Sequence, residues 1–512
     1  MAGDKKNRTT MAIRNFGGSV LERMVRFLMD FILRTIFIHL LGTTYLGVNG
    51  LFSNVLGLLS LAELGISTAI SFSLYKPLAD RDERKITAII QFYKNAYCII
   101  AVVVCVAGVS LVPFLGYIVK EPEGIEHITL IYLLFLTNSV MSYFWVYKFT
   151  MFSADQKQYV NSLYGTIMDM IVMVVQIVVL LCTRNYLLYL ISRICIQQLG
   201  RFCFMKYVDH KYPYLKTKEK IKLAQEDKNV IITKIKALLF HKIGTVAVYQ
   251  TDSLIISSMI NVTMVGLVSN FTMFTTMANA AIKSLLNAFI AGLGNIVAVE
   301  TDEKKLDSFQ KYDFAGFWLY GVATVCLYFL MKPFVILWIG EENVIDTFTI
   351  FLLCVNFYFS GQRATLENMK AAAGVYEQDR WIPIIEAAVN LITSVAFAMW
   401  LGLPGVYIGT FLSGIVPNIS RPYVVYKYVF KKSAKQYYIT YVKRALVISA
   451  SILVVMGVDG MITVDHQIIS FVIKLFECAL VPNLMIFLAF RKRSELKYCL
   501  NQAKGLAQKV LR

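Results

Sequence analysis

Residues Gly17 to Gly42 read GGSVLERMVRFLMDFILRTIFIHLLG, an apolar stretch of helix length that carries Glu22, Arg23, Arg26, Asp30, Arg34 and His39. On an α-helix Glu22, Arg26, Asp30 and Arg34 recur four apart and stack into one ladder of alternating sign, with Arg23 on the neighbouring ridge. An ionisable side chain at mid-bilayer costs about 2.5–3.5 kcal/mol even on the lenient insertion scale, so such a face turns to protein or to a water-filled cavity. Glu22 and Asp30 can offset Arg26 and Arg34, and Arg23 is left over. A cationic cavity in a helix bundle requires an anionic guest. The bland alternative is a ladder neutralised within the helix and against its neighbours.

The rest of the chain extends this reading. Its 512 residues are 57% hydrophobic and 16% charged, with mean hydropathy +0.59, too apolar for a soluble protein of this size. Apolar segments of ~20 residues recur along the whole length, which predicts an all-α integral membrane protein of about fourteen spans without a separate soluble domain. The formal charge of +18 is spread over alternate connections and does not mark a nucleic-acid-binding face. Basic residues crowd the N-terminal tail, the Lys76–Lys85 connection, the middle of the chain, Lys427 to Arg444 and the C-terminal tail. The intervening turns are neutral or acidic, so both termini are expected on the cytoplasmic side. No cleavable signal peptide is visible. The nine cysteines sit singly in apolar runs and read as buried hydrophobes.

Glu63 falls in the second span among small residues, either as a proton or cation site or as the partner of an arginine on the first. Asp169 lies in the fifth span; Arg193 and Arg201, on roughly one face of the sixth, are expected to line the cavity, unless Arg201 reaches to the cytoplasmic headgroups. From Asp209 to Lys236 the chain is lysine-rich and contains no span, and joins two halves. The seventh span brings His241, Lys242 and Asp252, and setting Gly47 against Gly266 aligns Glu22-Arg23 with His241-Lys242. Both halves then begin with a polar helix, a very short outer turn and a long second span, as in an internal repeat. Lys283 in the eighth span is a further cation without an evident partner. Arg363 and Glu367, four apart, are expected to pair locally, and Pro417 and Pro422 to kink the twelfth span. The expected division is residues 1–208 as an N-terminal bundle, 209–236 as a basic cytoplasmic linker, 237–430 as a C-terminal bundle, and 431–512 as two extra helices with a basic tail.

No phosphate-binding GxxxxGK[ST] loop occurs, so ATP cannot drive this chain alone and energised work must draw on an ion gradient or a partner. HExxH, paired CxxC and Ser/His/Asp arrangements are absent as well, and no cofactor is implied. Asp80-Arg81-Asp82 matches a loose DxD pattern in a short connection, without a domain around it.

The run Ile32-Leu33-Arg34-Thr35-Ile36-Phe37-Ile38, the Leu41-Gly42 turn, Tyr45 to Asn54 (YLGVNGLFSN), Leu59 to Gly65 (LSLAELG) and Ser73 to Ala79 (SLYKPLA) resemble the start of Wzx-type polysaccharide flippases, members of the MATE/MurJ-like exporter superfamily. The resemblance covers about the first hundred residues; beyond that it rests on topology. It implies two pseudo-symmetric bundles around a central cavity that opens alternately to either side of the bacterial cytoplasmic membrane. It also implies a substrate of undecaprenyl-pyrophosphate-linked oligosaccharide. Related lipid II flippases place cations in the first and eighth spans around the diphosphate, and Arg23, Arg26, Arg34 and Lys283 occupy comparable spans here.

Arg23, Arg26, Arg34, Lys242 and Lys283 are thus the candidate substrate-binding cations. Asp30, Glu63, Asp169 and Asp252 are candidates for coupling to H+ or Na+. The expected activity is transport, flipping the lipid-linked oligosaccharide from the cytoplasmic to the outer leaflet for capsule, exopolysaccharide or O-antigen assembly. Its surroundings are membrane lipids, and contact with a polysaccharide polymerase stays open. The rivals are a lipid II-type flippase, a MATE-like small-molecule antiporter, for which an acidic lumen would be expected, and a membrane polymerase or ligase, which needs a sizeable outer loop.

Overall fold

The computed structural model describes residues 26–60, 66–120, 124–217, 219–287, 289–462 and 466–510; within these, the side chains at 68, 234, 236–249, 291, 503 and 506–510 are not described. The described residues form helices and turns with no strand. In chain order the helices are α1 (26–41), α2 (Thr43–Leu59), α3 (Ile66–Ala79), α4 (Glu83–Ser110), α5 (Leu115–Ile118), α6 (Ile128–Ala154), α7 (Gln158–Thr183), α8 (Tyr186–Lys211) and α9 (Gln225–Met259). There follow α10 (Val262–Asn287), α11 (Ile290–Val299), α12 (Asp302–Ile339), α13 (Thr347–Ala373), α14 (Ile382–Leu401), α15 (Leu403–Tyr428), α16 (Lys435–Asp459), α17 (Gln467–Phe490) and α18 (Ser494–Val510).

Among the described residues seven helical stretches are long and apolar enough to cross a membrane: α4 with α5, α6, α7, α12, α14, α16 and α17; the bent pair α10–α11 makes an eighth. The chain is a multi-pass membrane protein. The sequence-based count of about fourteen also includes helices that such a test passes over: α1, α8 and α15 carry internal charges, and α2 and α3 are short.

The internal repeat is visible in the helix boundaries. α2 and α10 start at Thr43 and Val262, α4 and α12 at Glu83 and Asp302, α6 and α13 at Ile128 and Thr347. Each pair is separated by the 219 residues that also separate Thr44 from Thr263, whose hydroxyls share a hydrogen bond of 3.1 Å. It is the register set by Gly47 and Gly266.

The chain divides into two compact units, one of residues 1–246 with 261–263 and one of 247–260 with 264–512. The division falls inside α9, a single helix that begins at Gln225 within the basic 209–236 stretch. In the first unit α4, α6 and α8 pack through large aromatic residues; Tyr93, Tyr97, Tyr132 and Tyr143 are fully buried, and Tyr132 donates its hydroxyl to the Gly108 carbonyl at 2.9 Å. At the other end of α6, Lys148 and Asp209 form a buried ion pair at 2.5 Å. The start of the linker is pinned to α4. Gln91 donates to the Glu219 carbonyl at 2.7 Å and accepts from the Ile221 amide at 3.0 Å, and Lys85 pairs with Asp227 at 2.9 Å.

In the second unit α12 packs on α13 and α13 on α15, while α14 and α15 lie closest of all. A Cβ on Gly405 would stand 2.0 Å from the Phe397 carbonyl oxygen, and one on Gly409 would stand 2.3 Å from the Ser394 amide nitrogen. Only glycine admits that backbone approach, the usual role of small residues between membrane helices. Asp346 caps α13 by accepting from the Thr349 amide at 2.8 Å, and Gly374 closes it at φ 69°.

One expectation for this unit is corrected. Arg363 binds Glu386 on α14 at 3.0 Å, both nine-tenths buried, and Glu367 binds Arg421 on α15; Arg421 also reaches Glu386 at 3.9 Å. A dry interior favours full pairing across helices over the weak four-apart contact on one helix surface. α15 runs as one helix with Pro417 and Pro422 inside it; neighbouring helices let a membrane helix tolerate the lost backbone bonds.

Candidate functional site

Two polar clusters stand out, one in each unit, and they use corresponding helices of the repeat. In the first unit they come from α1, α7 and α8. Arg26 forms an ion pair with Asp169 at 2.6 Å and donates to the Thr166 hydroxyl at 3.0 Å. One turn along α1, Asp30 is exposed, and it lies within electrostatic reach of Arg26, Asp169, Arg34 and Arg193. The ladder spacing puts the α1 charges on one face, and Thr166 and Asp169, three apart on α7, present a matching polar edge. The Arg26 and Asp169 side chains keep 39% and 42% of their surface exposed, so they face open space. Among the described residues this cluster holds three arginines, Arg26, Arg34 and Arg193, against two aspartates, Asp30 and Asp169.

In the second unit the cluster comes from α9, α14 and α15. Asp252 accepts from the Thr410 hydroxyl at 3.1 Å, and its other carboxylate oxygen is buried without a hydrogen-bond partner. Asn390 accepts from the Thr251 hydroxyl at 3.2 Å and donates towards Thr410 at 3.3 Å and Ser413 at 3.4 Å. Ser394 donates to the Val406 carbonyl at 3.1 Å. Gly405 and Gly409 make this possible, because their missing side chains bring the α14 and α15 backbones into contact. One carboxylate thus sits among neutral oxygens, with a buried oxygen that has no donor. Such an oxygen requires a proton or a small cation, since a buried unpaired charge is too costly to leave alone. Among the described residues no group of three His, Cys, Asp or Glu side chains could hold a metal ion.

The structure brings Arg26, Arg34, Asp30 and Asp169 together and places Asp252 in the second cluster. Lys283, on α10, is half-buried within electrostatic reach of Glu367, so an acid offsets a cation that lacked a visible partner in the sequence. Arg23 and Glu63 lie outside the described residues, as does the side chain of Lys242. Sequence reasoning read Arg193 only as a residue lining the cavity and did not single out Asn390, Ser394, Thr410 or Ser413. Neutral polar residues in apolar helices carry little signal, although the fall of Asn390 and Ser394 on one helix face, four apart, was available.

No family model and no curated protein matches the chain. Solved structures do. The lipid II flippase MurJ in an inward closed conformation aligns with a TM-score of 0.63 at 14% identity, covering 92% of this chain and 98% of its own. An inward-facing multidrug resistance MATE family transporter of the MOP superfamily aligns at 0.61 and 14%, covering 77% and 92%. A MOP superfamily transporter from Pyrococcus furiosus, described as having a binding pocket of reverse polarity, aligns at 0.51 and 14%, covering 81% and 94%. The fold is MurJ- and MATE-like.

Proposed function

We propose that this chain flips a lipid-linked oligosaccharide carried on undecaprenyl pyrophosphate from the inner to the outer leaflet of a bacterial cytoplasmic membrane, by alternating access, for surface polysaccharide assembly. The observation that carries the reading is the meeting of Arg26 and Arg34 with Asp30 and Asp169 on α1 and α7. Arg26 and Arg34 offer charge-assisted donors to a diphosphate, replacing the hydration that a phosphate would lose in hydrocarbon. The lipid tail stays in the bilayer. Asp169 and Asp30 hold the arginines in place between substrates, and Asp252, with Asn390 and Thr410, takes the H+ or Na+ whose occupancy biases one state over the other. Arg23, Lys242 and Lys283 belong to the same substrate-facing set, and Glu63 to the coupling set. A polymerase that receives the flipped units is the partner this role implies.

A cation-exporting antiporter fits less well, because a cationic cluster repels its cargo. A lipid II-type flippase is the second reading, supported by the fold likeness to MurJ at nearly full coverage of both chains; it needs the same pyrophosphate chemistry with a different sugar.

Deleting the gene and assaying the sidedness of lipid-linked oligosaccharide tests the proposal. Complete units trapped on the cytoplasmic side, with surface polymer lost, are the expected result. Normal polymer and unchanged lipid-linked pools in a strain without a second flippase overturn it. Arg34→Ala is expected to stop export at an unchanged protein level. Rescue of a strain depleted of its lipid II flippase would move the assignment to the second reading.

A further inference from the structure

A cavity of about 280 Å³ opens within the first unit between α2, α6 and α8, lined among others by Ser53, Ser60, Phe135, Asn138, Ser139 and Arg193. It is far larger than the roughly 30 Å³ that one water occupies in the liquid. The lining positions of α6 and α8 lie about 10–15 Å from the N-terminal ends of those helices, at 1.5 Å per residue. A guanidinium within an apolar span needs water, an acid or an anion beside it. Asp30 lies within electrostatic reach of Arg193, and Arg193 makes no salt bridge among the described residues.

The donors that remain free decide what the cavity can hold. Ser53 and Ser60 spend their hydroxyl hydrogens on the Asn49 and Leu56 carbonyls. Asn138 is fixed by Gln197 at 3.2 Å and Gln198 at 2.9 Å. This leaves the fork of Arg193 and the Ser139 hydroxyl as donors on one wall, with the Phe135 ring beside them. In the other half of the repeat the positions matching Asn138, Ser139 and Arg193 are Phe357, Tyr358 and Leu412, and the two aromatics there are buried core. The cavity is thus a departure of the first unit from its own repeat.

We propose that this cavity is a second anion subsite, in which Arg193, with Ser139, takes a single oxyanion group, a carboxylate or a phosphate. A planar guanidinium matches such a group bidentately, and the ring of Phe135 suits the apolar face of a sugar that carries it. The biological source of the anion, an acidic sugar of the substrate or a phosphate, rests on the flippase reading; the site itself does not.

The test uses the purified full-length chain, with inorganic phosphate, glucuronate and neutral glucose as probes in calorimetric titration. Phosphate and glucuronate are expected to bind and glucose to fail. Arg193→Ala is expected to weaken the oxyanions about tenfold or more, with Arg193→Lys in between. Should Arg193→Ala not fold, Arg193→Gln and Ser139→Ala serve the same comparison. Undecaprenyl phosphate displacing inorganic phosphate identifies a lipid-borne phosphate; displacement by glucuronate alone identifies an acidic sugar. Equal oxyanion affinity in wild type and Arg193 variants, or no binding by folded wild type, overturns the subsite. Units trapped in the deletion strain without Arg193-dependent binding leave the flippase role standing and remove the subsite. Arg193-dependent binding with normal polymer does the reverse.

Discussion

The α1/α7/α8 cluster and the α9/α14/α15 cluster occupy corresponding helices of one repeat, yet one is a half-open set of arginines and aspartates and the other a closed pocket of neutral oxygens around Asp252. The scaffold gathers polar groups at the same three helices in both halves. The residues on it then decide whether the place gathers ion pairs or neutral oxygens around one acid. Where the helices stand off, charges stay solvated and available, as with Arg26 and Asp169 at about two-fifths exposure. Where glycines press them together, as Gly405 and Gly409 do, only small hydroxyl and amide groups fit.

The contrast can be broken most severely at the ion pairs. Arg363→Ala leaves Glu386 buried with only the more distant Arg421 and is expected to cost about 3 kcal/mol of stability. Arg26→Ala removes a pair that is over a third exposed and is expected to cost at most about 1 kcal/mol, while it stops export. Thermal unfolding of both purified variants beside an export assay checks this; a large stability loss for Arg26→Ala would mean that its cluster is structural.

Next comes the helix contact. Gly409→Ala must displace the Ser394 backbone, and a loss of about 1–3 kcal/mol is expected. Gly200→Ala in the corresponding α7–α8 pair meets the flexible end of Met168 at 2.3 Å and is expected to cost less than about 1 kcal/mol. Equal unfolding midpoints for the two variants would contradict the difference in closeness.

Asp252→Asn is expected to keep the fold and to remove the response of flipping to an imposed ion gradient. A tenfold loss of gradient-driven rate, about 1.4 kcal/mol of coupling, is the scale to look for in vesicles. Asp169→Asn should leave the gradient response in place, and an unaltered response in Asp252→Asn would remove Asp252 from coupling.

The smallest effect belongs to the turns that follow α6 and α13. Partial burial opposes the charge of Asp155, but hydrogen bonds from Lys157 at 2.6 Å and Tyr212 at 2.7 Å outweigh it and hold its carboxyl below the usual range. Its stabilisation is therefore present above the ordinary aspartate pKa and lost as pH falls through the depressed one. The matching turn has Gly374 at that position and no such group. The acid-side loss of stability is expected to shrink by a few tenths of a kcal/mol in Asp155→Asn, read from unfolding midpoints across pH.

Much of the fold was legible because membrane helices announce themselves by length and hydropathy, and because a four-apart ladder has one geometric meaning. The repeat was legible from a pair of glycines, since the short outer turn leaves little freedom around them. Asp169 was visible as an acid inside an apolar span, but its pairing with Arg26 was not. The Arg363–Glu367 expectation failed for the same reason: spacing along one helix says nothing of the acid on the next. Arg193 was legible as a cavity-lining cation from its place in a span, but the side chains that share the cavity with it were not.

The sequence by itself determined that this is a helical membrane protein built on an internal repeat, with more basic than acidic groups in its first half and a buried acid at Asp252. Hydropathy and periodicity are local and survive without coordinates. The tertiary structure alone decided which charges meet, where glycines bring Asn390 and Thr410 to Asp252, and which side chains share a cavity with Arg193. Those facts depend on distances between helices far apart in the chain, and in a medium that leaves no buried charge unpaired such distances govern what each side chain can do.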